Sequence, residues 1–132
     1  MIIAIDFDGT CVTHDMSKAG KEIGAALVLR KLVEKGHQLI LWTMRCESGV
    51  ESGKFISGLT DAVKWFENNN IPLYGIQCDP TQKEWTQSPK CYAHLYIDDR
   101  ALGCPLIYPE NGDRPYVDWE KVEQYLISNG IL

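Results

Sequence analysis

Apolar residues run without a break through Ile2–Ile5 before the chain meets two aspartates, Asp6 and Asp8. A short continuous apolar run of this kind predicts a strand covered on both faces. Residues 20–35 then place Ile23, Ala26, Leu27 and Val33 on one side of a helical repeat, and Gly36 closes it. The stretch HQLILWT (37–43) predicts a second buried strand. Ile56, Leu59, Val63 and Phe66 recur at three- and four-residue intervals, which predicts a second amphipathic helix stopping at Asn68-Asn69-Asn70. Shorter strands are expected over 71–76 and over AHLYIDD (93–99). Residues 103–115, rich in Pro, Gly and Asn, read as a loop with one short strand around Leu106 and Ile107. Val122, Tyr125 and Leu126 mark a last helix over 118–128. The order β-α-β-α-β, then strand and helix, predicts an α/β domain on a mostly parallel sheet. No repeat, low-complexity tract or long linker divides the chain, so a single domain over 1–132 is expected.

Composition narrows the setting. A chain of 132 residues with 45% hydrophobic content can bury a core of ordinary size. No apolar run approaches the roughly 18 residues of a membrane span, so no membrane partner is expected. Met1–Ile5 leads directly into Asp6 without the basic segment that opens a secretory leader. The net charge of −5 argues against a broad nucleic-acid-binding surface. The five cysteines, Cys11, Cys46, Cys78, Cys91 and Cys104, are odd in number, scattered, and form no C-x-x-C pair. They suit reduced thiols in a cytoplasm better than a disulfide framework or a zinc site.

The chemistry centres on the aspartates. Residues i and i+2 of a strand share a face, so Asp6 and Asp8 can converge while Phe7 packs the other way. Ligand sites of open parallel sheets lie beyond the carboxyl ends of the strands, which is where Asp6 falls. Asp8-Gly9 is a hairpin signal, but no alternating strand follows it. A calcium loop starting at Asp6 would need glycine and glutamate where Cys11 and Ser17 stand. Gly20-Lys21-Glu22 and Gly53-Lys54-Phe55 both lack the hydroxyl residue of a phosphate-binding loop. A second acidic pair, Asp98-Asp99, ends the apolar stretch LYI. If the two strands are neighbours, four carboxylates gather at one edge and repel one another. A hard divalent cation relieves that repulsion, and an oxygen-rich site open to a phosphate suits Mg²⁺. Thr43 and Lys90, harmless alone, become a hydroxyl and an ammonium for phosphoryl oxygens beside such a cluster.

With these residues assembled, the chain resembles the phosphatase branch of the haloacid dehalogenase superfamily. Asp6-Phe7-Asp8-Gly9-Thr10 matches its D-x-D-G-T motif, Thr43 its strand-end threonine, Lys90 its upstream lysine and YIDD (96–99) its acidic pair. Lys83 competes with Lys90 but lies farther from the acidic pair. The resemblance covers residues 2–100 and implies a three-layer α/β/α Rossmann-like core. It assigns Asp6 as nucleophile and Asp8 as general acid and base. It implies Mg²⁺ held by Asp6, the Asp8 carbonyl and Asp98, with Asp99 as a further ligand or an anchor. Thr43, Lys90 and the amides of the Asp8-Gly9 turn are then expected on the phosphoryl group.

The connections leave no room for a cap domain, so the resemblance implies a capless phosphomonoesterase. Capless relatives take large substrates or cover the site by oligomerising, so a phosphorylated substrate and a homo-oligomer are the expected partners. Residues 44–54 are a candidate flap, with Arg45 reaching a substrate anion. The 103–116 loop, with Tyr108, Arg114 and Tyr116, is a candidate rim. Two alternatives stand beside this reading. One is a phospho-receiver-like signalling domain, whose motif order differs. The other is a catalytically silent binding module on the same fold.

Overall fold

In the computed structural model of the chain, residues 1–15, 20–47 and 58–132 are described. The first strand, β1 (Ile2–Ile5), lies inside a four-stranded sheet. It pairs in parallel with β2 (Gln38–Leu41) on one side and with β4 (Leu95–Ile97) on the other. β3 (Gly75–Ile76) extends the sheet beyond β2, giving the order β3-β2-β1-β4 with every pairing parallel. Ile5 stands level with both Leu41 and Ile97, so all three strands end together. The backbone ladder runs one residue further, with Asp6 N–H donating to Ile97 O (3.0 Å) and Trp42 N–H to Ile5 O (2.8 Å). This shared edge is where the acidic residues emerge.

Alternation along the strands separates two apolar clusters. Ile3, Ile5, Leu39, Leu41 and Ile97 face one side. There they meet α1 (Ala25–Glu34), α2 (Leu59–Asn68) and α3 (Trp119–Ser128), all packed into one cluster. Ala4 and Ile40 face the other side, with Cys91, Trp42, Tyr74 and Tyr96. The α/β class and the parallel sheet are thus as expected, whereas the layer over this second face is not helical. It is the 77–94 connection, whose regular structure is one 3₁₀ turn at Gln82–Glu84. Pro80 and Pro89 interrupt that segment and no apolar face repeats along it, so an α-helix is not favoured there. Buried Gln82 organises the coil instead, donating to Ser88 O (3.1 Å) and Lys90 O (2.6 Å) and accepting from Tyr92 N (2.9 Å).

Element ends differ from the expectations for local reasons. The helix expected over 20–35 starts at Ala25, because Gly24 has a φ of 92° and Glu22 before it forms an antiparallel bridge with Val12. Thr13 and Lys21 exchange bonds there: Thr13 N–H donates to Lys21 O (3.0 Å), and Lys21 N–H to Thr13 Oγ1 (2.9 Å). The strand expected over 71–76 pairs only at Gly75–Ile76, since Pro72 lacks an amide and Ile71 is drawn into the helical-side core. β5 (Leu106–Ile107) falls where a short strand was expected. Its antiparallel partner β6 (Tyr116–Val117) was not anticipated. The last helix runs as expected, with Asp118 accepting from Lys121 N–H at its start (3.2 Å). Ile56 and the flap from residue 48 onward lie outside the described residues, so the capless reading is open over that connection. Among the described residues, no helix is long and apolar enough to cross a membrane.

Candidate active site

The turn after β1 is folded around one carbonyl. Phe7 O accepts from Thr10 N–H (3.1 Å) and Cys11 N–H (2.8 Å). The Phe7 ring is fully buried against Trp65 and Phe66, with centroids 5.8 and 6.4 Å away. Anchoring Phe7 in the helical-side core leaves its two neighbours on the opposite side. Gly9 makes the reversal at a φ of 80°, and a Cβ there would lie 2.1 Å from His14 Nε2 and 2.6 Å from Asp99 Oδ2. Glycine is therefore required twice over, for conformation and for space.

Toward β4 the carboxylates crowd. Oxygens of Asp6, Asp98 and Asp99 lie within 4.8 Å of one another. Fully buried Thr10 ties the group together, donating to Asp6 Oδ2 (2.7 Å) and accepting from Asp99 N–H (3.0 Å). Trp119 Nε1–H donates to Thr10 O (2.6 Å), which pins this turn to α3. Burial pushes the Asp6 carboxyl up to about 7, and the charges of Asp98 and Asp99 add to it against the Thr10 hydrogen bond. Asp99 shares its Oδ2 with His14 Nε2 (3.1 Å) and, more loosely, Arg100 Nε (3.7 Å). Asp98 Oδ1 accepts from Arg100 N–H (2.8 Å). Beneath them the buried Cys11 thiol is held far above its usual range by burial and by Asp6, and donates to Asp6 O (3.3 Å).

Toward β2 the picture reverses. Arg45, expected to reach outward to a substrate anion, is buried and turned inward onto Asp8. Its Nε donates to Asp8 Oδ2 (2.8 Å) and its Nη2 to Asp8 Oδ1 (2.7 Å), a two-pronged grip. The guanidinium lies 5.0 Å from the Phe7 ring centroid and also reaches Asp15 O (3.2 Å). The inward turn has a backbone cause. Arg45 N–H donates to Thr43 Oγ1 (3.1 Å), and Gln77 braces both ends of that turn. Gln77 accepts from Thr43 N–H (2.9 Å) and donates to Thr43 O (2.7 Å) and Arg45 O (3.0 Å).

No family model matches this chain, and no curated protein does. A solved structure, that of the conserved protein coded by a locus from Bacteroides thetaiotaomicron, does match. It is 30% identical, with a TM-score of 0.70 over 98% of this chain and 91% of that one. The chain belongs to that protein's family. The words "conserved protein" name no activity, so the shared fold leaves the chemistry to be argued from residues.

Of the residues singled out in the sequence, Asp6, Asp98 and Asp99 come together, while the Asp8 carboxylate is outside that group and held by Arg45. β2 stops at Leu41, short of the expected 37–43, so Thr43 lies two residues beyond the strand, its hydroxyl oxygen accepting from Arg45 N–H. The Gly9 amide, expected on a phosphate, donates to Val12 O instead (2.8 Å), which leaves the Asp8 amide as that turn's donor toward a ligand. Lys90 is not drawn into the cluster. It is exposed, with Nζ 5.6 Å from the Tyr96 ring centroid on the second face of the sheet. Among the described residues no hydrogen bond or ion pair joins it to the aspartates, and Lys83 lies exposed in the 3₁₀ turn. Three contributors were missed: His14, Gln77 and the bridging role of Thr10. Thr10 sits in the D-G-T stretch and was open to notice. His14 and Gln77 lie in irregular segments where spacing carries no signal.

Proposed function

We propose that the chain is a Mg²⁺-dependent phosphomonoesterase that works through an aspartyl phosphate on Asp6. The observation that carries this reading is the gathering of Asp6, Asp98 and Asp99 within 4.8 Å at the carboxyl ends of two adjacent parallel strands. Supporting it is the order of motifs that resembles haloacid dehalogenase phosphatases. The donor set fits a hard divalent cation: three carboxylates, one of them held near neutrality by burial and its neighbours, are short of positive charge. Asp6 and Asp98 would hold the ion, with Asp99 oriented behind them by His14 and Thr10. When bound, a cation of this kind neutralises charge on the transferring phosphoryl oxygens.

The chain's own residues supply the rest. The Asp6 oxygen not held by Thr10 attacks phosphorus, and the bond from phosphorus to the ester oxygen breaks. Asp8 gives that leaving oxygen its proton, then takes one from the water that hydrolyses the aspartyl phosphate and frees Asp6. Both Asp8 oxygens are engaged by Arg45, so each transfer requires one prong of that grip to open. Thr43 and the Asp8 amide would donate to phosphoryl oxygens. Lys90 acts only by leaving Tyr96.

The Arg45 grip favours a second reading. A carboxylate locked at both oxygens cannot shuttle protons, and the fold would then bind a phosphorylated ligand without turning it over. One experiment separates the two. A panel of phosphomonoesters, p-nitrophenyl phosphate included, is assayed with and without Mg²⁺ using wild-type protein and Asp6→Asn. The phosphatase reading expects Mg²⁺-dependent phosphate release that vanishes in the variant. Release that survives Asp6→Asn, or none from any ester, contradicts it.

A further inference from the structure

Beside the carboxylate edge lies a groove of about 730 Å³, lined by Thr13, His14, Asp15, Gly20 and Lys21 on one side and by the β5–β6 connection on the other. Its size is in the range of small-ligand sites. His14 lines it and also touches Asp99, so the groove opens directly onto the candidate active site. Four charged residues line the groove, and they are not equivalent. Asp113 accepts from Asn111 Nδ2 (3.0 Å), and Asp15 is itself engaged. Lys21 and Arg114 are exposed, and among the described residues neither side chain has a hydrogen bond or ion pair. The acids are answered within the protein while the cations are not. Tyr116 adds a hydroxyl with no partner among the described residues. Thr13 N–H donates to Lys21 O and Lys21 N–H to the Thr13 hydroxyl, which fixes the backbone that carries Lys21.

We infer that this groove receives the non-reacting end of the substrate, and that this end carries a second anionic group, a carboxylate or phosphate, bound by Lys21 and Arg114. The inference rests on the phosphatase reading and narrows its substrate class to small phosphomonoesters with two anionic ends. Rim positions named only as a candidate edge of the site, Arg114 and Tyr116, thereby acquire a role in specificity. Remote charge recognition of this type orients the ester without taking part in the chemistry.

The test uses two series of substrates, ω-carboxyalkyl phosphates of increasing chain length and alkyl phosphates of matched length. Both are assayed with Mg²⁺ on wild-type protein, on the Lys21→Ala/Arg114→Ala double variant and on Asp6→Asn. At one chain length, wild type should favour the carboxylated ester by about tenfold in kcat/KM, chiefly through KM. The double variant should lose that preference yet cleave p-nitrophenyl phosphate at the wild-type rate. No preference at any length, or a preference that survives the double variant, overturns the groove assignment and leaves the catalytic reading standing. If no ester is cleaved, the catalytic reading has failed by itself. Calorimetric binding of the same carboxylated esters then decides the groove: binding lost in the double variant supports it, and equal or absent binding overturns it.

Discussion

Asp6 and Asp8 are two residues apart, on one turn, and live in opposite electrostatic surroundings. Asp6 faces β4, where Asp98 and Asp99 add negative charge and burial lifts its carboxyl to about 7. Asp8 faces β2, where buried Arg45 holds both its oxygens. At the first end three carboxylates share one loose, exposed cation, Arg100, whereas at the second a buried guanidinium grips a single carboxylate. Under the proposed phosphatase reading this difference would divide the roles, with the crowded end taking a cation and the nucleophile and the paired end keeping a carboxylate in one orientation until needed.

The largest effect is expected from neutralising the crowded end. Asp6→Asn should reduce phosphate release on the order of a thousandfold or more. It should also stabilise the metal-free protein, and the sign follows from linkage. A carboxyl near 7 in the folded chain and near 3.8 when unfolded binds its proton more tightly in the folded state. Metal-free stability therefore falls as pH rises from about 4 to about 7, then levels off. Asp6→Asn should erase that slope and raise Tm at pH 8 by on the order of 5–10 °C. Thermal melts in chelator across that range check it, and an unchanged slope would remove the claim that this edge is short of positive charge.

Metal affinity should carry the same signature. Mg²⁺ must displace the proton on Asp6, so binding should strengthen with pH up to about 7 and then plateau, by roughly tenfold between pH 6 and 8. Calorimetry in buffers of different ionisation enthalpy also reads the proton released. A pH-independent affinity would separate the cation from Asp6.

The paired end should break differently. Arg45→Met leaves Asp8 without its partner and should cost about 3 kcal/mol in denaturant unfolding. Arg45→Lys should recover only part of this, because an ammonium cannot grip two oxygens in one plane. A neutral Arg45→Met would mean that the grip is weak and Asp8 is already free to move protons. Gln77→Ala should give the smallest change, about 1–2 kcal/mol, with Asp8-dependent turnover falling more than stability suggests. Equal losses of both would show that Gln77 braces the fold rather than the Arg45 turn.

The crowded end was far more legible in the sequence than the paired one. Ile2–Ile5 and LYI are unbroken apolar runs that stop at acids, and parallel pairing brings such stops to one edge. Nothing local revealed the Arg45 grip. Arg45 lies in a polar stretch that reads as surface, and its inward direction depends on Gln77, 32 residues away in sequence. The helices followed from their periodicity, while the start of α1 depended on a left-handed Gly24 and on hydrogen bonds between Thr13 and Lys21. The second face was the largest departure, because a coil braced by one buried glutamine carries no repeat to read. Lys90 followed motif order and not geometry, and it sits over Tyr96.

The central claim is that Asp6 takes the phosphoryl group, and chemical trapping tests it most directly. Wild-type protein is mixed with Mg²⁺ and a cleavable phosphomonoester, quenched within one turnover and reduced with borohydride, which converts an aspartyl phosphate to homoserine. Peptide mass spectrometry should find homoserine at position 6 and aspartate at position 8. Homoserine at another position, or an unmodified Asp6 in protein that is turning over, would contradict the account.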